Sequence, residues 1–187
     1  MIKLLFSIFK YPISFLKFNK FGKNIRLGYG GKIAHPEGIS IGSNVFIAAN
    51  FVISGKSLEI GNNVLIGPRL TIECDDHKFN KVGAPMWSYR NERDVYHIKI
   101  CNDVWMGANV TILKGVIVGE GTIVGACSLL SKSVPPYTIS IGIPCKPIKT
   151  RFTVEELKQH LILIKSNCTF EEVISEWKRF KLIEVGI

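Results

Sequence analysis

The chain has 187 residues, of which 47% are apolar, and this is enough for one domain with a sizeable core and a smaller appendage. It contains no run of 18 uncharged apolar residues, so we expect no membrane-spanning helix. The net charge is +9, and residues 1–36 hold seven Lys or Arg residues but no Asp or Glu. This asymmetry indicates an anionic partner, either a membrane surface or nucleic acid.

Residues 1–18 have the pattern of a basic amphipathic helix. Lys3, Lys10 and Lys17 recur every seven residues and form a narrow polar stripe, whereas Ile, Leu and Phe cover most of the remaining surface. The pattern is typical of a helix that lies in the plane of a membrane. Packing on the rest of the protein, or on a neighbouring subunit, is the alternative. We assign residues 1–23 to this segment, and we do not expect nucleic-acid binding because its aromatic residues are not interleaved with basic ones.

Residues 24–150 contain a six-residue repeat, with an aliphatic residue or Met at every sixth position and one extra residue before Ile60. The positions are Ile41, Ile47, Ile53, Ile60, Ile66 and Ile72, and then Ile100, Met106, Ile112, Val118, Val124 and Leu130. A period of six fits neither a helix nor a single strand. It predicts a coil with three short sides per turn, whose turns stack on one another. Gly and Asn are expected at its corners, because these residues tolerate left-handed backbone angles.

The repeat stops at residues 73–99, which are rich in charged and aromatic residues and contain His77 and His97. A loop of this length inside a compact repeat is more often functional than decorative. Because the repeat resumes at Ile100 in full register, we expect the loop to project from one corner of the coil.

Residues 151–187 follow a proline-rich turn and predict two helices. Thr153 with Glu156, and Thr169 with Glu172, have the spacing of capping boxes, and each pair precedes an apolar-periodic run. We expect this helical appendage to cover the last turn of the coil, because the end of a stacked repeat needs a cap.

The chain has five cysteines, an odd number, and no C-x-x-C motif. This usage indicates free thiols in a reducing compartment. We therefore expect the protein in the cytoplasm, and at the inner face of the cytoplasmic membrane if the N-terminal segment contacts lipid.

Two motifs give the repeat a family resemblance over about residues 40–150. Residues 102–116 read Asn-Asp-Val-Trp-Met-Gly-Ala-Asn-Val-Thr-Ile-Leu-Lys-Gly-Val, and residues 142–149 read Gly-Ile-Pro-Cys-Lys-Pro-Ile-Lys. The chain resembles the hexapeptide-repeat O-acetyltransferases, in the branch of the galactoside, maltose and nodulation-factor enzymes and of those that acetylate capsular and lipopolysaccharide sugars. The resemblance implies a mainly β fold, a left-handed parallel β-helix. It also implies a homotrimer that binds acetyl-CoA between adjacent coils.

The resemblance assigns the catalytic chemistry to His77 and Asn50. An imidazole near the coil's edge can accept the proton of a sugar hydroxyl as its oxygen attacks the thioester. Glu73, Asp75 or Asp76 could orient the ring, and the sequence does not choose among them. The Asn50 amide matches a donor to the developing oxyanion, although a plain corner role is the alternative.

Seven further positions match contacts that the family makes to acetyl-CoA. They are Trp105, Ala108, Ala126, Ser131, Lys132, Lys146 and Lys149. In the family the tryptophan packs beside the pantetheine arm, the two alanines stay small so that the arm approaches the backbone, and the Ser–Lys pair lies further along the arm. The last two lysines approach the adenosine phosphates as point charges.

The resemblance implies transfer of an acetyl group to a sugar hydroxyl, and we predict a surface polysaccharide such as a capsule or O-antigen, or its precursor, as the carbohydrate acceptor. A soluble acetyltransferase of small sugars, nucleotide-sugars or xenobiotics is the alternative. We predict no metal, because the carbonic anhydrases that share such a coil need three converging His ligands. The four histidines, His35, His77, His97 and His160, are scattered without ligand spacing.

Overall fold

The computed structural model describes residues 17–184, and the predicted amphipathic helix of residues 1–18 falls almost entirely outside them. The described chain winds into a triangular coil whose three faces are sheets of parallel strands. The first face contains β1 (Lys20–Phe21), β4 (Ile39–Ile41), β7 (Leu58–Ile60), β12 (Ile98–Ile100) and β15 (Ile117–Val118). The second face contains β2 (Ile25–Leu27), β5 (Val45–Ile47), β8 (Val64–Ile66), β13 (Trp105–Met106), β16 (Ile123–Val124), β18 (Thr138–Ile141) and β19 (Lys146–Thr150). The third face contains β3 (Lys32–Ala34), β6 (Val52–Ser54), β9 (Thr71–Glu73), β14 (Thr111–Ile112) and β17 (Leu129–Leu130).

The chain visits the faces in that order, so each turn has three corners. The first corner joins the first and second faces, the second corner joins the second and third faces, and the third corner leads back to the first face. No helix within residues 17–184 is long and apolar enough to cross a bilayer.

The predicted stacking of the six-residue repeat is confirmed by the strand register. On the third face, Ile72 pairs with Ile112 and Ile112 with Leu130, and all three side chains are fully buried. The same holds on the second face, where Met106 lies between Ile66 and Val124. Each inward side chain therefore rests on its equivalent in the next turn, and this column of aliphatic contacts forms the core.

The corners have left-handed backbone angles. Asn24, Asn44 and Asn63 occupy equivalent places in the first corner with φ of 55–58°, and their amides form a ladder with 2.9 Å bonds. The prediction of Asn at such places is thus correct. The structure also places Arg69 and Cys127 at left-handed positions, with φ of 61° and 59°, which the sequence did not indicate.

One boundary and one element differ from those expected from the sequence. The coil begins at β1 rather than at residue 24, because the Asn19 amide already donates to the Ile39 carbonyl at 3.0 Å. Backbone pairing thus extends one strand beyond the point where side-chain periodicity becomes visible. At the other end, the expected turn contains β19, which returns antiparallel to β18 and widens the second face.

Residues 74–97 leave the coil at the third corner as a hairpin of two antiparallel strands, β10 (Asp75–His77) and β11 (Arg93–Val95). Its tip contains a 3₁₀ turn at Met86–Tyr89. At its base, Lys114 pairs with Asp76 and lies 4.6 Å from the centre of the Tyr96 ring. The loop predicted for residues 73–99 therefore does project from a corner, and it is an ordered hairpin.

The C-terminal helices are α1 (Val154–Ile164) and α2 (Phe170–Arg179), and both predicted capping boxes are present. Trp177 of α2 is fully buried and donates its indole N–H to the Pro136 carbonyl at 2.9 Å. The buried Glu120 accepts hydrogen bonds from Tyr137 and Ser166. These contacts attach the helices to the last turn of the coil, as a cap requires.

Ile112→Ala should lower the free energy of unfolding by about 2–5 kcal/mol, because it leaves a cavity in the buried column. The measurement is urea denaturation followed by far-UV circular dichroism. Ile117→Ala is the matched control, since that side chain is 47% exposed on a neighbouring strand and should cost much less. Equal losses for the two variants would contradict the assigned register.

His160 on α1 should make the stability fall as the pH is lowered from about 7.5 to about 5.5. Burial and then the nearby Arg151 charge lower the pKa of its imidazole, against the opposing charges of Asp103 and Glu120. Its buried Nε2 has no hydrogen-bond partner within the described residues. Since the unfolded chain binds this proton more readily than the native protein does, acidification favours unfolding.

The measurement is the melting temperature at both pH values. His160→Gln should reduce the pH dependence, because it removes the imidazole whose pKa is lowered in the native protein. A dependence that survives unchanged in His160→Gln would count against this assignment.

Candidate active site

His77 ends strand β10 at the base of the hairpin and pairs in register with Arg93 of β11. The local sequence Asp-Asp-His alternates its side chains across the strand, as any β-strand does. The ring therefore stands at the third corner of the coil, where the hairpin joins it. The structure thus places the predicted base at the interruption of the repeat.

His77 borders two clefts. The inner cleft, about 500 Å³ in volume, lies between the hairpin and the third face. Besides His77, its titratable side chains are His35, Lys56, Glu73, Asp75, Asp76 and Arg93. The outer cleft, about 450 Å³, lies on the side of the hairpin tip and is lined by His77, Met86, Trp87, Arg90, Asn91 and Arg93. Both volumes are in the range of small-molecule sites.

The three acidic candidates for orienting His77 differ in their contacts. Asp75 lies 3.4 Å from the Arg93 guanidinium, and Asp76 pairs with Lys114. Glu73 forms no ion pair within residues 17–184 and lines the inner cleft together with His77. It is therefore the carboxylate of the three whose charge is not already matched by a cation.

His97 has a different environment from His77. Its Nδ1 lies 2.9 Å from the Ser57 hydroxyl, and its Nε2 lies 3.9 Å from Glu59. These contacts attach the end of the hairpin to the turn before it, and His97 does not line either of the two clefts.

Asn50 occupies the second corner, with φ of 61°. Its side-chain oxygen lies so close to Gly30 that a Cβ there would come within 2.2 Å of it. A corner role is therefore evident in the backbone, and Asn50 lines neither of the clefts at His77. It shares the second corner with Ala108 and Ala126.

The second face presents an exposed apolar ladder toward solvent. Phe46, Leu65 and Trp105 are register partners on successive strands, and their exposed fractions are 37%, 55% and 54%. Beside this ladder the corner residues are small and closely stacked, since a Cβ added at Gly107 would lie 2.6 Å from the Ala126 amide nitrogen. An exposed indole beside a small-residue backbone ridge fits a long, thin arm such as pantetheine.

The remaining predicted cofactor residues lie on two different sides of the chain. Lys146 and Lys149 are on β19, which extends the second face. Ser131 and Lys132 follow β17 at the third corner, two turns below the hairpin. In a triangular coil the third corner lies opposite the second face, so one chain does not bring His77 together with Trp105.

Several residues near His77 were not singled out from the sequence. Trp87, Arg90 and Arg93 line the outer cleft, and Lys56 lines the inner one. The concentration of Trp and Arg in the interrupting loop was the available signal. Within residues 17–184, no three His, Cys, Asp or Glu side chains are grouped so that they could hold a metal ion.

Residues 97–132 match the family model described as bacterial transferase hexapeptide (six repeats). The "Putative lipopolysaccharide biosynthesis O-acetyl transferase WbbJ" of Escherichia coli (strain K12) is 33% identical over 142 residues, which cover 69% of this chain and 70% of that protein. The galactoside O-acetyltransferase of the same strain is 31% identical over 133 residues, or 66% of this chain. The match spans 62% of that enzyme's length, which is less than two thirds.

Among solved structures, the hexapeptide-repeat acetyltransferase VCA0836 of Vibrio cholerae O1 biovar eltor, in complex with acetyl coenzyme A, superposes with a TM-score of 0.63. It is 28% identical, and the match covers 73% of each chain. The resemblance seen in the sequence, and the mainly β, left-handed parallel β-helix that it implies, are thereby confirmed. Its repeat, its fold and its relatives together show that the chain belongs to the hexapeptide-repeat transferase family.

Proposed function

We propose that the protein is an acetyl-CoA-dependent O-acetyltransferase that modifies a sugar hydroxyl of a surface polysaccharide, such as a capsule or O-antigen, or its precursor. Membership of the family and the acetyl coenzyme A bound to a solved relative support the reaction class. The relative named for lipopolysaccharide biosynthesis supports the acceptor class.

The observation that carries the proposal is the position of His77, which borders both clefts at the point where the repeat is interrupted. Of the two histidines in the hairpin region, it is the one that faces open space on both sides. A base placed there can contact an acceptor that enters from either cleft.

Acetyl-CoA supplies the acetyl group as a thioester, and CoA leaves as the free thiol when the C–S bond breaks. His77 accepts the proton of the sugar hydroxyl as the oxygen attacks, and returns it to the departing sulfur. Glu73, which has no cation partner in the described region, contacts the second ring nitrogen of His77 and so holds the imidazole in a productive orientation. The Asn50 amide donates a hydrogen bond to the negative charge that develops on the carbonyl oxygen.

We further propose that the active unit is a homotrimer. The exposed ladder of Phe46, Leu65 and Trp105 is the kind of apolar surface that marks an interface or a ligand groove. Because the third corner of one chain lies opposite its own second face, His77 can meet an arm held along Trp105 only if these residues come from two copies. A cyclic arrangement of three copies provides such a contact at each of its three interfaces.

The cell location follows from the proposed substrate. Polysaccharide precursors carried on lipid are met at the inner face of the cytoplasmic membrane. The basic segment of residues 1–18 supports contact with that surface, because clustered lysines are attracted to anionic lipids.

His77→Ala should lower the turnover number at least about 100-fold, the lower limit for loss of a general base. The measurement is release of the free thiol of CoA from acetyl-CoA, with purified surface glycans and small sugars as acceptors. His97→Ala is the control, because that ring contacts Ser57 outside both clefts, and it should retain most of the activity.

Unchanged turnover in His77→Ala would rule out its role as the base. Faster transfer to small sugars, nucleotide-sugars or xenobiotics than to any polysaccharide would establish the alternative acceptor class.

A further inference from the structure

The hairpin tip is a built structure rather than a loose loop. Lys78 lies 3.8 Å from Glu92 and 3.9 Å from Asp94, and Lys81 lies 3.4 Å from Glu92, so ion pairs join its two arms. Tyr89, at the end of the 3₁₀ turn, is only 5% exposed. These contacts fix the backbone of the tip without using the side chains that point into the outer cleft.

Those remaining side chains are large and exposed. Trp87 is 74% exposed and Met86 is 60% exposed. The Arg90 guanidinium lies 4.4 Å from the centre of the Trp87 ring and donates a hydrogen bond to the Trp87 carbonyl at 3.1 Å. The arginine is thus held beside the indole while most of the indole surface stays open.

The charge of the outer cleft contrasts with that of the inner one. Two arginines, Arg90 and Arg93, line the outer cleft, and no carboxylate lines it. Arg93 is already 3.4 Å from Asp75, whereas Arg90 forms no ion pair in the described chain. The inner cleft, by contrast, contains three carboxylates together with Lys56 and Arg93. His77 therefore has a cleft of mixed charge on one side and a basic, aromatic cleft without a carboxylate on the other.

This combination has a specific chemical complement. An indole face is electron-rich and attracts the weakly positive C–H groups on the flat side of a sugar ring. A guanidinium with free donors binds a carboxylate or a phosphate through two parallel hydrogen bonds. An outer cleft of about 450 Å³ has room for such a ligand next to the base.

We propose that the outer cleft binds an anionic sugar unit of the acceptor, with Trp87 stacked on the ring and Arg90 bound to its negative group. This inference rests on the proposed function, because it treats the cleft beside His77 as the acceptor side of the active site. It makes the acceptor an acidic glycan or a sugar phosphate, and it makes Trp87 and Arg90 specificity-determining residues.

The test is direct binding of three probes to the full-length protein, measured by calorimetry with and without CoA: methyl glucuronoside, glucose 1-phosphate and methyl glucoside. Wild-type protein should bind at least one anionic probe roughly tenfold more tightly than the neutral one, the effect of a hydrogen bond to a charged group. The tighter of the two anionic probes identifies the source of the charge as a carboxylate or a phosphate.

Arg90→Gln should remove the preference for an anionic probe, and Trp87→Ala should weaken the binding of all three probes. Arg179→Gln is the matched control, because that arginine also lies over an aromatic ring, 4.7 Å from the centre of Phe180, but on α2 away from the hairpin. Where turnover is measurable, Arg90→Gln should raise the KM for an acidic acceptor and leave the KM for acetyl-CoA unchanged.

Equal binding of charged and neutral probes by the wild-type protein, or a preference that persists in Arg90→Gln, would overturn the inference. So would a rise in the KM for acetyl-CoA alone, which would assign the cleft to the cofactor. Failure of the proposed function looks different: the preference for anionic sugars would persist, but no acceptor would release CoA.

Discussion

The whole structure depends on one packing constraint, the stacking of an aliphatic side chain on its equivalent in the next turn. On the third face, Ile72, Ile112 and Leu130 form such a column, and all are fully buried. Columns of this kind fix the register of the coil's strands, because a shift by one residue would expose the whole aliphatic set. A tightly packed coil of this kind leaves little room to rearrange side chains into a catalytic site. The catalytic residues are therefore expected where the six-residue repeat is interrupted.

The repeat is interrupted in the middle of the coil, between Cys74 and His97, and the hairpin that forms there contains His77. In the proposed function, the coil contributes the other half of the site. Its second face holds an exposed indole, Trp105, beside a ridge of small corner residues, and β19 extends that face with two lysines. The proposed function therefore separates the two parts in space: the regular second face holds the cofactor, and the irregular hairpin holds the base and the acceptor.

The coil could be predicted from the sequence because its period is a direct record of burial. Every sixth aliphatic position from Ile100 onward is buried, and both capping boxes form as expected. The hairpin could not be predicted in this way, because its strands have no apolar period. They pair through the backbone, and ion pairs such as Lys78–Glu92 join the residues just beyond them. Strand β1 was not predicted, because both of its residues are exposed and only their backbone pairing with β4 places them in the coil. The stacking of Arg90 on Trp87 was also invisible, as it depends on the 3₁₀ turn that brings the two together.

The central claim is that the site is completed between copies, and mixed trimers test it most directly. Chains with His77→Ala lack the proposed base, and chains with Ala108→Trp carry a bulky side chain where the pantetheine arm is proposed to lie. Trimers made of either chain alone should therefore be inactive. When the two are co-expressed and purified as mixed trimers, about a third of the sites should contain an intact His77 facing an intact ridge, so activity should return to about that fraction of the wild-type value. Mixed trimers that stay as inactive as the two parents would contradict the claim and place the whole site within one chain.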